Sequence, residues 1–412
     1  MNQNGNEEFD IGYLNVSVKT AVGARPVPDA RVTISRVGTE IEVLSTDAAG
    51  QTVTVELGTP PLEFSQEVLG MKPYTEYNLL VQAEGFQDIN INGIQMLPEV
   101  TAIQNIRLTE GPAAEERRIY IEQHTLWGTF PPKIEEPEVK PLPPASGFVV
   151  LPEPVIPEFM VVHLGQPDDK SAQNVWVPFK DYITNVACCE IYSTWPEETI
   201  RANVLAIISF ALNRVYTEWY RGKGYDFTIT NSTAYDMMFS YGRNIFDNIF
   251  NIVNDIFTTY ITRPGIRQPL LTQFCDGSRV TCGGLQQWGS KSLGDQGYDS
   301  LSILRNFYGT DIYLDQAESV EGVPMSYPGT PLQVGSTGEA VRTIQQQLNS
   351  ISNNFPMIQK IRVDGIFGQQ TEQAVRTFQQ IFFLPVTGVV DFGTWYQISN
   401  IYVAVNRLAE PG

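Results

Sequence analysis

The chain has 412 residues, too many for one ordinary domain, and carries 27 Lys and Arg against 46 Asp and Glu, a formal net charge of -19. Phosphate backbones are held by clustered basic residues, so this balance, with no basic patch, argues against a nucleic-acid partner. Four cysteines exclude a disulfide scaffold, and no run of 18 apolar residues is present to span a membrane.

The acidity is local: residues 1–110 hold 6 basic and 15 acidic residues, whereas residues 330–412 hold 5 of each. The opening MNQNGNEEFD has neither a positive start nor an apolar core, so no Sec-type signal is expected. The expected route is cytoplasmic synthesis followed by non-Sec release.

From Ile11 to Ser35, Leu14, Val16 and Val18 alternate with polar residues, a Pro/Gly turn follows, and Val32 and Ile34 resume the alternation. That is the period of a half-buried strand. Further strands are expected in QTVTVEL and TEYNLLVQAEGF, giving a β-sandwich over 1–110. VPDARVTI, STDAAGQT and YNLLVQAEGF resemble the carboxypeptidase regulatory-like, transthyretin-related domains. The resemblance implies a spacer or adhesion module without chemistry of its own.

Periodicity disappears over 111–157, where nine of the 27 prolines fall between Pro131 and Pro157, mixed with Glu and Lys. This composition reads as a semi-rigid Pro-rich linker. The alternative is a segment wrapped along a domain surface, anchored by Trp127 and Phe130.

Residues 158–325 read as an α+β domain. Pro196, Glu197 and Glu198 open a helix expected to reach Tyr220, with Ile200, Val204, Ile207, Ile208, Ala211, Leu212 and Val215 on its apolar face. A second helix is expected over Asn244–Tyr260 and a third over Ser300–Tyr308. Cys188 and Cys189 read as buried apolar fillers. Cys275 and Cys282, seven apart, are consistent with plain thiols, a small disulfide loop or two metal thiolates, although zinc normally takes four ligands and the chain has two histidines. His124, in the linker, and His163, on an expected strand, read as structural.

Residues 326–412 read as a compact unit of three helices with Gly and Asp turns. The fold class expected is therefore multidomain: an N-terminal β-sandwich, a Pro-rich linker, an α+β central domain and a C-terminal three-helix all-α domain.

Gly335, Gly338, Val341, Gln345 and Leu348, then Asp364, Gly365, Phe367, Gly368, Thr371, Ala374, Val375, Phe378 and Gln379, and finally Gly388, Val390, Asp391 and Thr394 resemble the peptidoglycan-binding type 1 domain. The resemblance covers about 75 residues and implies peptidoglycan glycan strands as the partner. In the centre, FKDYITNVACCEIYSTWPEETIRANVLAIISFALNR and GGLQQWGSKSLGDQGYDSLSILRNFYG resemble the stage II sporulation protein D and amidase-enhancer family. Sporulation members are lytic transglycosylases that cut glycan strands lacking stem peptides with one glutamate, which by position is Glu190. A carboxyl kept protonated in an apolar pocket can donate to the glycosidic oxygen and then take the proton of the attacking 6-hydroxyl, so one acid suffices for a 1,6-anhydro product where a hydrolase needs two.

The resemblance nominates Tyr192, Trp195, Gln286, Gln287 and Trp288 as substrate contacts. It also carries a zinc reading for Cys275 and Cys282; otherwise no cofactor is expected. The chain departs from the family where its arginine falls on Ile208, its glutamine on Asn203 and its histidine near Cys282. The function implied is a lytic transglycosylase of the cell wall or spore envelope. The alternative is a noncatalytic peptidoglycan-binding, structural or amidase-enhancing protein, with other cell-wall hydrolases as partners.

Overall fold

The computed structural model describes residues 10–112, 116–140 and 153–406. The extreme N-terminus read for a signal and the proline-rich stretch 141–152 lie outside these residues. The architecture is multidomain, with strands first and helices later.

The N-terminal unit contains β1 (Asp10–Thr20), β2 (Arg31–Arg36), β3 (Thr39–Ser45), β4 (Val55–Thr59), the short α1 (Glu63–Gln66), β5 (Thr75–Gln82), β6 (Ile89–Met96) and β7 (Thr101–Leu108). Alternate residues Leu14, Val16 and Val18 of β1, Val32 and Ile34 of β2, and Leu79 and Val81 of β5 are fully buried. Period-two patterning thus supplies the facing layers of a two-sheet core. Each sheet is completed by chain from beyond residue 110. The five-stranded sheet runs β3-β2-β5-β6-β8, where β8 (Arg117–Tyr120) pairs parallel to β6. The four-stranded sheet ends on Ile245 and Phe246, which pair with Ile103 and Ala102 of β7.

The described part of the expected linker, to Lys140, follows the wrapped alternative. Glu136 accepts from Arg214 (Nη2–Oε1 2.7 Å), and Glu138 accepts from Arg263 (2.8 Å). The side chain and carbonyl of Lys140 engage Glu136 and Gln268. Arg214, with a fully buried side chain, also donates to Asp236 Oδ1 (2.7 Å). Asp236 accepts in addition from Tyr220, from the Thr230 hydroxyl and from the Thr230 amide. Once the two carboxylates neutralise Arg214, this acidic, proline-rich segment gains more from docking than from staying extended in water.

The central unit adds β9 (Val155–Ile156), β10 (Phe159–His163), β11 (Asn174–Pro178), α2 (Phe179–Glu190), α3 (Glu197–Tyr216), β12 (Ile229–Thr230), β13 (Ile245–Phe246), α4 (Asp247–Ile256), β14 (Thr259–Thr262), β15 (Phe274–Cys275), β16 (Leu285–Gln286), α5 (Gln287–Asp295) and α6 (Ser300–Tyr308). The third expected helix matches α6 in its bounds. The second is shorter than expected: Ile245 and Tyr260 lie in strands, because pairing with β7 and with Tyr313–Gln316 satisfies their backbones better than helix continuation would. α3 is buried nearly all round, and its contacts with α2, α4, α5 and α6 make it the axis of the unit.

The C-terminal unit is α7 (Glu339–Ile351), α8 (Gln369–Ile381) and α9 (Phe392–Asn406), packed around Trp395, Phe378, Leu348 and Val375. It docks on both other units. Lys180 Nζ, on α2, reaches Asn254 Oδ1 (2.7 Å) and Gln397 Oε1 (2.9 Å), Phe257 meets Phe392 and Tyr396, and Asn354 donates to the carbonyl of Gly23.

Candidate functional site

α2 ends at Glu190, a residue 5% exposed. Three segments far apart in sequence meet its carboxyl. The Met238 amide donates to Oε1 (2.9 Å), the Thr125 hydroxyl lies 2.9 Å from Oε2, and Gln287 Nε2 lies 3.3 Å from Oε2 and 2.7 Å from the Glu190 carbonyl. Thr125 Oγ1 is also 3.0 Å from the Cys189 carbonyl. A hydroxyl carries one hydrogen. When that hydrogen sits on the Cys189 carbonyl, Thr125 Oγ1 becomes an acceptor for a proton held on Glu190 Oε2. The site thus has hydrogen bonds ready for either form of the acid.

Gln287 is brought to Glu190 by backbone packing as much as by its own side chain. β16 runs parallel to β15, and a Cβ on Gly284 would stand 1.8 Å from the Gln273 carbonyl. No residue with a side chain fits there. α5 then opens at Gln287, with Trp288 half-buried beside it. The Trp288 ring lies 5.0 Å from Trp195 and 6.2 Å from Tyr192, centroid to centroid.

Tyr192 and Trp195 are the two aromatic residues that the resemblance nominates as substrate contacts ahead of the second block. Both rings are buried: Tyr192 packs on His124 (centroids 4.4 Å), and Trp195 Nε1 donates to the Ser65 carbonyl of the sandwich (2.8 Å). They form the floor under Trp288, because large aromatic surface gains more from the interface with the sandwich than from water. Gln286 is half-buried, with its Cβ against Gly277.

His124 is structural. Its Nδ1 accepts from the Leu126 amide and its Nε2 faces the Ile191 carbonyl, which requires the neutral ring with the proton on Nε2. Burial first, then the nearby Arg243 cation, hold its pKa well below the usual histidine value. His163 bonds Asn174 and the Gln166 carbonyl and stacks on Phe227. Cys188 and Cys189 are buried, and burial pushes their thiols up to about 12 and about 11, so neither is a nucleophile at neutral pH.

Cys275 and Cys282 are bonded to each other, with Cα atoms 6.1 Å apart. That leaves no thiolate for a metal, and among the described residues no group of three or more His, Cys, Asp or Glu could hold one. The zinc reading does not fit this donor set. The bridge closes a loop organised by Asp276, whose Oδ1 accepts from the amides of Ser278, Arg279 and Val280 and whose Oδ2 accepts from Arg279 Nε (2.8 Å). Burial opposes ionisation of Asp276, but these donors outweigh it and hold its pKa below the usual carboxylate range. The residues that sequence reasoning passed over are Thr125 and Arg279, the first because it stood in a segment read as a spacer.

The C-terminal unit shows a duplicated device. Gln345 Oε1 accepts from the Gly365 amide while its Nε2 reaches the Ile366 carbonyl and Thr371 Oγ1; Gln379 does the same with Gly388, Val389 and Thr394. Gly365 and Gly388 sit at φ +77° and +75°, a turn that glycine accepts without strain. Residues 337–398 match the putative peptidoglycan binding domain.

The C-terminal unit is a peptidoglycan-binding domain. That match supports peptidoglycan as the partner of this unit and points to association with the cell wall. The chain matches no curated protein. Among solved structures it is similar to the SleB N-terminal domain (30% identity, 19% of this chain and 99% of that one, TM-score 0.17). It is also similar to GBS52, the minor pilin of the gram-positive pathogen Streptococcus agalactiae (13% identity, 25% and 46%, TM-score 0.18). A third likeness is to catechol 1,2-dioxygenase from Acinetobacter (14%, 28% and 57%, TM-score 0.19). Among the described residues no helix is long and apolar enough to cross a membrane.

Proposed function

We propose that this protein is held on peptidoglycan by its C-terminal domain and cuts the glycan strand with its central unit, as a lytic transglycosylase with Glu190 as acid and base. The observation that carries this reading is the meeting of Glu190 and Gln287, 97 positions apart, at one carboxyl. They come from the two blocks that resemble the sporulation family. In the cleavage, Glu190 Oε2–H gives its proton to the glycosidic oxygen as the C1–O bond breaks. The resulting carboxylate accepts the proton of the muramic acid 6-hydroxyl while O6 bonds to C1. Trp288, on its aromatic floor, would stack on a sugar face, and the Gln287 amide would hold the acid in place. Binding at the C-terminal domain raises the local concentration of the insoluble strand at this site.

A second reading has one observation in its favour. With Glu190 almost fully buried and both oxygens hydrogen-bonded, the carboxyl can equally serve to tie α2 to α5 and to the 124–130 segment in a noncatalytic wall-binding protein. Denuded glycan strands treated with wild type and Glu190→Gln separate the two. Anhydro-muramyl ends from wild type alone support cleavage; their absence from both leaves the noncatalytic protein.

A further inference from the structure

The Cys275–Cys282 bridge meets an open cavity on one side and, through the loop it closes, the first turn of α5 on the other. Both cysteines are half-buried and line that cavity, of about 370 Å³, together with Lys133, Phe274 and Gly284. Thr281 and Gly283, which flank Cys282, are exposed. A small thiol reagent therefore reaches this pair, whereas Cys188 and Cys189 are sealed in the core.

The loop also holds part of the Glu190 site. The carbonyl of Asp276, next to Cys275, accepts from the Trp288 amide (3.1 Å). That amide lies in the first turn of α5, whose leading N–H groups have no partner within the helix, and Gln286 at the cap makes no side-chain bond to them. The turn so held carries Gln287 to Glu190 and Trp288 to its aromatic floor. Gly277 lies flat on the same element: a Cβ there would stand 2.5 Å from the Cβ of Gln286. Between the two cysteines no apolar side chain is buried. Besides the bridge, the loop is fixed by the Asp276 carboxylate on its own amides and by Arg279 on the carbonyls of Thr125, Trp127 and Gly128. A segment with so little apolar anchoring owes much of its order to covalent closure.

We propose that Cys275–Cys282 is a thiol–disulfide exchange site for a dithiol reductant, and that opening it frees the first turn of α5 and so withdraws Gln287 and Trp288 from Glu190. The exchange stands on the cavity and the loop alone; its effect on glycan cleavage rests on Glu190 being the acid. In the exchange, a thiolate of the reagent bonds to one cysteine sulfur as the S–S bond breaks, and the other sulfur leaves as a thiolate that water protonates. The reagent's second thiolate then attacks the mixed disulfide, so the reagent departs as a cyclic disulfide and the chain holds two thiols. The two electrons and two protons gained by the chain are those lost by the dithiol.

The test treats the folded full chain with dithiothreitol, a neutral dithiol, and reads three quantities. Iodoacetamide followed by peptide mass mapping is expected to label Cys275 and Cys282 only after reduction, and Cys188 and Cys189 in neither state. Hydrogen–deuterium exchange at the Trp288 amide is expected to rise by about ten- to a hundredfold on reduction, the range that closing so short a loop contributes, with the amides of α7 to α9 unchanged. Release of anhydro-muramyl ends from denuded glycan should fall about tenfold and return on reoxidation by the cyclic disulfide. The double variant Cys275→Ser, Cys282→Ser is expected to sit at the reduced level whether or not dithiol is present, while still sedimenting with peptidoglycan. A pair that stays unlabelled in the folded chain overturns the exchange site. Labelling without faster exchange at Trp288, or a double variant as active as the oxidised chain, overturns its coupling to Glu190. If the oxidised chain releases no anhydro-muramyl ends, the Glu190 reading fails, and the labelling and exchange results still decide the site.

Discussion

Gln287 reaches Glu190 twice with one amide nitrogen, 2.7 Å from its carbonyl and 3.3 Å from its carboxyl. The end of α2 and the start of α5 are therefore one unit, and the acid cannot turn without disturbing both helices.

Substitution at this acid separates chemistry from folding. Glu190→Gln keeps an acceptor for the Met238 amide and is expected to fold with a small loss of stability, while abolishing anhydro-muramyl release. Glu190→Ala strands the Met238 amide away from water and should cost about 1–3 kcal/mol by denaturant unfolding. Normal product release by the Gln variant would remove Glu190 from the mechanism.

The docked 116–140 segment has its own signature. Arg214→Met leaves Asp236 and Glu136 without their shared cation, in a site where the Arg214 and Asp236 side chains are fully buried. A loss of about 3–5 kcal/mol is expected from breaking such a pair on one side. Limited proteolysis should then cut near Pro131–Lys140, where wild type resists.

In the wall-binding domain, Gln345→Ala and Gln379→Ala each remove a buried side chain and leave a turn amide unpaired. Each is expected to cost about 2–4 kcal/mol and to weaken co-sedimentation with peptidoglycan, and the circular dichroism melt of the full chain should show it. Retention of both stability and binding would contradict the structural role given to the duplicated glutamines.

Lys180 links pH to the seat of this domain. Burial lowers its pKa to about 7 from 10.5, so between those values the unfolded chain holds a proton that the folded chain does not. Stability from this group therefore rises with pH across that window, by at most about 1.4 kcal/mol per pH unit, and declines as pH falls toward 7. Urea unfolding of wild type and Lys180→Met at pH 7 and pH 9 should show a wild-type gain that the variant lacks. Parallel pH responses would mean that the amine is not desolvated.

What could be read from the residues alone was whatever depends on near neighbours. Alternation at Leu14, Val16 and Val18 marks a strand with one dry face, α6 shows in its own apolar spacing, and the turn glycines with Gln345 and Gln379 mark the wall-binding helices. Glu190, Tyr192, Trp195, Gln286, Gln287 and Trp288 were nominated by the family resemblance of the two central blocks and not by spacing alone. Tertiary structure alone decided the rest. Cys275 joins Cys282 across the loop that Asp276 organises, Trp195 faces inward onto the sandwich at Ser65 and Tyr192 onto His124, and Thr125 and Arg279 enter the site through partners 65 and 154 positions away. Side-chain contacts at such separations leave no period in the chain, since they depend on where whole elements pack and not on which residues lie beside them.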